Sequence, residues 1–334
     1  MAPRFSARSL PGHLGTVLAV LVTTGVAVTG TASMFYAGWG QPIPRLLGYV
    51  APAAVSLVLF LVALRWPRAG GILLLTAGLA AGAWWIVVQI GRGMAPAGDI
   101  LLSALMMIAP VAGAAILFLL EARHRRLLFL EGSAPSPRWI TRNARYVLVI
   151  GVPLVAVAVL ASIRLPELLA RRDDGQRGRR TIAGSGVTLT WAPLGPGWNG
   201  KLDTGEYPSW NDLARHGNAL LDRCACLDEK GTALLPSAAR IWRLPAADEI
   251  LRTLTRDGEN AGCTWDGRSP HATCRRPPDK ETPLWAPDET PIYYWSASEA
   301  DAGTALAVNY TGGISYLPKS MRGTGIGFRC VKSP

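Results

Sequence analysis

The run Ile100–Leu120, "ILLSALMMIAPVAGAAILFLL", has no charged side chain and one hydroxyl in 21 residues. A helix needs ~20 predominantly apolar residues to cross a hydrocarbon core, so this stretch has the make-up of a membrane span. Lipid offers no partner for a bare backbone amide, which makes such a span helical. Pro110 within it is no veto. Four more runs of the same kind lie at 14–38, 46–64, 70–90 and 146–164, two of them carrying Pro52 and Pro153. The first also has features of a cleaved signal, with Arg4 and Arg8 at its start and "TGTAS" as a cleavage site. Its apolar stretch continues through Met34, Phe35 and Tyr36, so a spanning helix is the preferred reading. Residues 1–165 are therefore expected to form a membrane region with five transmembrane helices, and the lipid bilayer is its first partner.

The formal net charge of +11 sits in that half and beside it. Residues 1–170 carry 13 Arg, no Lys and 4 acidic residues, and "RRDDGQRGRR" at 171–180 adds 5 Arg and 2 Asp. Residues 181–334 are close to neutral, with 16 basic and 17 acidic side chains. Basic charge placed between apolar runs is a topology signal and excludes a nucleic-acid-binding surface. With the N-terminus in the cytoplasm, inner segments hold ten Arg (4, 8, 65, 68, 123, 125, 126, 138, 142 and 145), and outer loops hold only Arg45 and Arg92. That asymmetry places a multi-pass protein in the cell membrane, its N-terminus inside and its C-terminal half outside. The Arg-rich stretch falls in a linker at 166–184, expected to be solvated and close to lipid head groups.

No ionisable side chain lies near the middle of a span, so nothing marks an ion path. Gln89 is the one strongly polar residue well inside a run, near its end, and Trp84 and Trp85 lie toward the outer end of the third. The small-residue stretches "AGLAAGA" (77–83) and "VAGAA" (111–115) suit helix packing. The region reads as an anchor bundle, not a transporter.

All five cysteines (224, 226, 263, 274 and 330) lie in the polar half, which fits an oxidising compartment and leaves at least one thiol over. Cys224 and Cys226 are the one close pair, and His216 and His271 do not stand at zinc-ligand spacing, so no metal site is expected. Cys263 and Cys274 would close a loop of about a dozen residues, a staple worth on the order of 3 kcal/mol in the chain-entropy picture.

From 181 onward short β-like runs alternate with two helix candidates. "VTLTWAPL" (187–194) reads as a strand. "SWNDLARHGNALLDRC" (209–224) reads as a helix capped by Ser209, with Trp210, Leu213, Leu220 and Leu221 on one face. "PAADEILRTL" (245–254) is the second helix: Pro245 suits its start, and Asp248 and Glu249 meet the positive end of its dipole. Residues 255–291 show no clear periodicity. "YYWSASE", "ALAVNYTGG", "ISYLPK" and "GIGFRCVK" then follow with Gly-rich turns and read as one antiparallel sheet.

The series "WRLPAADEI" (242–250), "YYWSASE" (293–299), "ALAVNYTGGISYLPKS" (305–320) and "FRCVK" (328–332) resembles the C-terminal domain of the bacterial Lcl-type adhesins. That family is distantly similar in fold to formylglycine-generating (sulfatase-modifying) enzymes and C-type lectins. The resemblance covers about 185–332, the domain 185–334, and none of the membrane half. It implies an α+β, C-type-lectin-like domain outside the membrane. Two departures stand out. Where the family has Ser or Thr to complete a capping box with Glu249, this chain has Ala246, leaving only the dipole effect at that helix start. Where the family has its first-helix Cys, this chain has Gly217. A bridge from Cys330 to Cys224 or Cys226 follows from the resemblance, with the choice between them open.

The same resemblance favours a ligand-binding module, adhesin- or sensor-like, over two alternatives: a structural subunit of a membrane complex, and an enzyme of the formylglycine-generating type. The last needs a cysteine pair for copper near the final strands, and Cys224 and Cys226 are not there. No cofactor is implied. The stretch 255–291 is long for a connection in a compact domain, and it carries Trp265, Arg268, His271, Arg275, Arg276 and Trp285. Aromatic faces beside planar cations suit a sugar ring or an anionic group. These six are the expected ligand site for a glycan, cell-wall fragment or protein partner, with Arg275 and Arg276 as its essential pair. Asn309, Tyr310 and Tyr316 are the next candidate surface.

Overall fold

The computed structural model describes residues 10–38, 43–92, 97–130, 139–214, 223–322 and 325–334. The chain forms two compact units, with the division falling between Leu165 and Pro166.

The first unit is built from five long helices: α1 (Leu10–Ser33), α2 (Ile43–Arg65), α3 (Pro67–Arg92), α4 (Ala97–Leu130) and α5 (Trp139–Leu169). All five are long and apolar enough to cross a membrane, over Leu10–Ala37, Leu46–Arg65, Pro67–Ile90, Ala97–Leu127 and Asn143–Leu169. Lipid-soluble helices gain little hydrophobic driving force from meeting one another, so close backbone approach and dispersion must hold them. The sequence supplies that approach. On α1 the buried positions are Gly12, Gly15, Thr16, Ala19, Thr23, Ala27 and Thr31, a ridge of small residues. The hydroxyls of Thr16 and Thr23 donate to the carbonyls of Gly12 (2.8 Å) and Ala19 (2.7 Å) on their own helix, so these two hydroxyls need no lipid partner. A Cβ on Gly30 would lie 2.2 Å from the Tyr49 carbonyl of α2, and one on Gly70 would lie 2.1 Å from the Ala63 Cα. At those two positions only Gly fits. Phe60 and Phe118, fully buried with ring centroids 6.5 Å apart, fill the centre with Ala114, Ala115 and Val149. The stretches 77–83 and 111–115 do pack against each other: Gly78 faces Val111 and Gly82 faces Ile108.

One charge is buried here. Glu121 of α4 is 8% exposed and takes Arg125 (2.6 Å) and Arg145 (3.0 Å). It lies near the end of the α4 span, against Gly12.

The second unit is a mixed α/β domain with a curled sheet. β1 (Arg180–Gly184) and β2 (Val187–Trp191) form a hairpin, and β2 also pairs antiparallel with the last strand, β11 (Val331–Lys332). A second sheet has the order β10-β7-β8-β9, from β7 (Tyr293–Glu299), β8 (Thr304–Asn309), β9 (Ile314–Pro318) and β10 (Ile326–Gly327). β8 is central, and every residue from Ala305 to Asn309 is buried, which is why it reads as a near-continuous apolar run. The expectation of one antiparallel sheet is corrected. "GIGFRCVK" divides between sheets: Ile326–Gly327 runs parallel to β7, and Val331–Lys332 crosses to β2.

Two short helices lie over the core. α6 (Trp210–Ala214) starts on a reciprocal cap, in which the Ser209 hydroxyl and amide donate to Asp212 and the Asp212 amide returns to the Ser209 oxygen. The continuation expected over 215–222 lies outside the described residues, and Cys224 stands in a turn. α7 (Ala247–Arg252) shows how Ala246 is tolerated. Glu249 still accepts the Ala246 amide at 2.7 Å, half of a capping box, and is gripped by the Arg243 fork at 2.7 Å on each oxygen. The hydroxyl that Ala246 lacks comes from Ser298 on β7, which accepts the Ala247 amide at 3.0 Å. The start of α7 is therefore capped from another element, and more than the dipole holds it. Arg243 exchanges backbone hydrogen bonds with Val331 at 2.8 Å, extending the first sheet by a single bridge.

Most of the Arg-rich stretch is exposed, and ion pairs and one backbone bond tie it to this domain. Arg171 pairs with Asp279 at 3.0 Å, and Arg177 bridges Asp173 and Asp288 at 2.8 Å each. Arg180 takes Asp174 at 2.8 Å, and the Arg177 carbonyl accepts from Leu194.

Two disulfides staple the domain, Cys224–Cys330 and Cys263–Cys274, and Cys226 is buried outside both of them. The core carries five tryptophans no more than 2% exposed: Trp191, Trp198, Trp242, Trp285 and Trp295.

Candidate functional site

The stretch 255–291 contains two small hairpins. β3 (Thr255–Arg256) pairs with β4 (Glu259–Asn260) around Asp257-Gly258, both at positive φ (56° and 78°), the geometry of a type I′ turn. β5 (Cys263–Thr264) pairs with β6 (Thr273–Cys274), and the disulfide joins directly opposed residues.

The tip of the β5–β6 hairpin is held by local hydrogen bonds. The Asp266 carboxylate accepts from the Arg268 amide (2.8 Å), the Ser269 amide (2.7 Å) and the Ser269 hydroxyl (2.6 Å). The hydroxyl first, then these amides, hold its pKa down at about 2. Trp265 donates its indole N–H to the Ser269 carbonyl at 2.8 Å and keeps part of its ring exposed. Backbone bonds from Ile314 to Pro270 (2.8 Å) and from Ala272 to Gly312 (2.9 Å) dock the hairpin on the β8–β9 turn. Arg268, His271 and Arg275 stand exposed on this frame. Among the described residues no carboxylate pairs with Arg268 or Arg275. The Arg275 guanidinium lies over Gly262, where a Cβ would come within 2.2 Å of its Nε.

The expected site residues therefore separate. Trp265, Arg268, His271 and Arg275 share one stapled hairpin. Arg276 follows it and is paired with Glu259 at 2.6 Å. Trp285 is elsewhere: it is 1% exposed and stacked on Tyr294 at 4.2 Å with the planes 8° apart, so it offers no face to a ligand. Asn309 and Tyr310 are buried, and the Asn309 carbonyl oxygen closes the "NYTGG" turn by accepting from the Thr311 and Gly313 amides at 3.0 and 2.7 Å. Of that second surface Tyr316 alone is exposed.

A buried polar cluster also escaped the sequence reading. "PDKETP" reads as a solvated turn, yet Asp279, Lys280 and Glu281 are 8%, 1% and 2% exposed. The Lys280 ammonium donates to the Glu289 carbonyl, and burial pushes its pKa down to about 8. The Glu289 carboxylate accepts from Asn199 at 2.5 Å; burial raises its pKa against that bond. Arg329 is fully buried with its guanidinium 3.7 Å over Trp198, and donates to the carbonyls of Ala192 (3.1 Å), Pro283 (2.6 Å) and Leu284 (3.0 Å). Tyr294 accepts from the Trp198 indole at 2.9 Å and donates to the Leu284 carbonyl at 3.3 Å. The Arg329 and Asn199 bonds tie 277–292 to segments far away in the chain, Tyr294 links it to Trp198, and the Lys280 bond closes that stretch on itself, so the cluster positions 277–292. The faint sequence signal is the Pro-rich, Trp-containing composition of 277–291, unusual for a solvated turn.

The copper chemistry of formylglycine-generating enzymes does not fit these cysteines. Cys224 is bonded to Cys330, so it cannot act with Cys226 as a metal-holding pair. Comparison with family models, curated proteins and solved structures finds no match to this chain.

Proposed function

We propose that the chain is a membrane-anchored binding protein that displays its C-terminal domain outside the cell, and that the β5–β6 hairpin is its contact surface. The observation that carries this reading is the stapled hairpin with Arg268 and the partly exposed Trp265 at its tip and Arg275 just past its disulfide, both Arg being exposed and without a carboxylate partner among the described residues. Side chains used only for folding are ordinarily satisfied within the fold, as Arg276 is by Glu259 and Arg243 by Glu249. A rigid frame that holds two forked cations and an aromatic face loses little entropy on binding. It suits a glycan or cell-wall fragment bearing a carboxylate or phosphate. The outward placement rests on the Arg asymmetry of the loops and on the disulfides, and the lectin-like expectation rests on the resemblance of 185–332 to Lcl C-terminal domains.

The test is binding of the full-length protein in nanodiscs to arrays of acidic glycans and peptidoglycan fragments. Arg268→Ala with Arg275→Ala is expected to weaken any captured ligand by roughly tenfold or more, since two charge-assisted forks are lost. Arg276→Ala should change it less than about twofold, because Glu259 already occupies that guanidinium. Undiminished binding by the double variant would remove the hairpin from the site. Arrays without a hit would favour a structural subunit of a membrane complex.

A further inference from the structure

At one end of the helical unit the α2–α3 turn, "RWPR" at 65–68, folds against α4 and leaves an open-sided cavity of about 550 Å³. Arg65, Trp66, Pro67, Arg68, Ile72 and Arg125 are among its lining residues. We propose that this cavity holds the head group and upper acyl region of an anionic phospholipid.

Three observations carry the proposal. The first is charge. Three guanidiniums face the cavity, and the nearby buried carboxylate, Glu121, is already shared between Arg125 (2.6 Å) and Arg145 (3.0 Å). Arg65 and Arg68 have no carboxylate partner among the described residues and are exposed. An arrangement of forked donors with no internal acceptor matches a phosphodiester.

The second is depth. The α2 span ends at Arg65, the α3 span begins at Pro67, and the α4 span ends at Leu127. The cavity therefore sits where three apolar runs stop together, at the level of lipid phosphates. Basic pockets between transmembrane helices at this level are suited to anionic head groups.

The third is the lining itself. Trp66 is 59% exposed and Ile72 is 50% exposed, and with Ala69 and Ala122 they make the walls largely apolar. A soluble anion would gain nothing from these walls, whereas the glycerol and first methylenes of a lipid would cover them. Arg65 lies over the Trp66 ring at 5.8 Å, so the cation and the aromatic wall already act as one surface.

The proposal is tested in vesicles of zwitterionic phosphatidylcholine carrying either brominated phosphatidylglycerol or brominated phosphatidylcholine, with bromine quenching of tryptophan fluorescence as the readout. In the full-length protein the anionic brominated lipid should quench severalfold more than the zwitterionic one. Trp66→Phe should remove that excess and leave the equal quenching of other lipid-exposed rings such as Trp84. Arg65→Gln with Arg68→Gln should also abolish the excess, with the helix content by far-UV circular dichroism and the equal quenching of Trp84 by both lipids unchanged as evidence that the helical unit is folded. Equal quenching by both lipids in the wild type, or an excess that survives the double Gln variant, would overturn the proposal. So would saturable binding of inorganic phosphate by wild-type protein in purely zwitterionic vesicles that Arg65→Gln with Arg68→Gln abolishes, which would assign the cavity to a soluble anion.

Discussion

Replacing Cys330 with Ser should destabilise the C-terminal domain by on the order of 4–5 kcal/mol. The bridge to Cys224 spans 106 residues, and the loop-closure entropy it removes from the unfolded chain grows with that length. Both half-cystines are fully buried in the core that also holds Trp242, Trp295 and Phe328, so the variant additionally leaves one hydroxyl at 330 in an apolar setting, opposite the thiol of Cys224. Domains are commonly stable by only about 5–15 kcal/mol, so the melting temperature should fall by roughly 10–20 °C. Cys224→Ser should match it. Cys226→Ala should fall far short of it, because Cys226 is outside the bridge. Thermal melts followed by near-UV circular dichroism, with non-reducing peptide mapping, check both. Equal effects at all three positions would show that the bridge is not the source of the stability.

Arg329→Leu should be nearly as damaging, at about 3–5 kcal/mol. The guanidinium satisfies three carbonyls that have come from two different segments, Ala192 on one side and Pro283 and Leu284 on the other. Removing it leaves those acceptors buried and unpaired, and each such loss costs about 1–3 kcal/mol. It also strips the cation from the Trp198 ring 3.7 Å away. Arg329→Lys is expected to recover less than half of the loss, because a single ammonium cannot reproduce the planar fork or stack on the indole. Urea denaturation midpoints of the three proteins measure this. A lysine variant as stable as wild type would mean that charge alone suffices there.

Those two residues also show where sequence reading succeeds and where it stops. Cys263 and Cys274 stand close enough in sequence to make their pairing visible. For Cys330 the choice between Cys224 and Cys226 depended on how a turn presents two sulfurs, which spacing does not encode. The five spans were legible because lipid demands a single solution for a long apolar run, and the small residues of α1 and α3 follow from the same demand. "YYWSASE" was read to its ends because its run of three aromatic residues is a local signal. "GIGFRCVK" was not, since whether a short apolar run stays in one sheet or crosses to another is decided by the twist and packing of both sheets. Asp257-Gly258 was a missed local signal: a two-residue Asp-Gly turn between short polar runs is a hairpin mark even without apolar alternation. Arg329 gave none, and Lys280 and Glu281 only the faint one of their Pro-rich, Trp-containing surroundings. Their burial follows from loop-to-loop bonds at separations up to 137 residues, and in isolation each reads as solvent-facing. In the candidate site, Trp265, Arg268 and His271 lie on one stapled hairpin because they are neighbours in sequence, whereas Trp285, grouped with them by its type, is packed in the core.

The proposed binding function requires that five spans place the C-terminal domain on the outer side of the membrane. Alkaline phosphatase is active only after export, so fusions expressed in a bacterial host measure this directly. Joined after Pro334 the enzyme should be active, and joined at Ser133, between the fourth and fifth spans, it should be silent. Activity at Ser133 with silence at Pro334 would contradict the account.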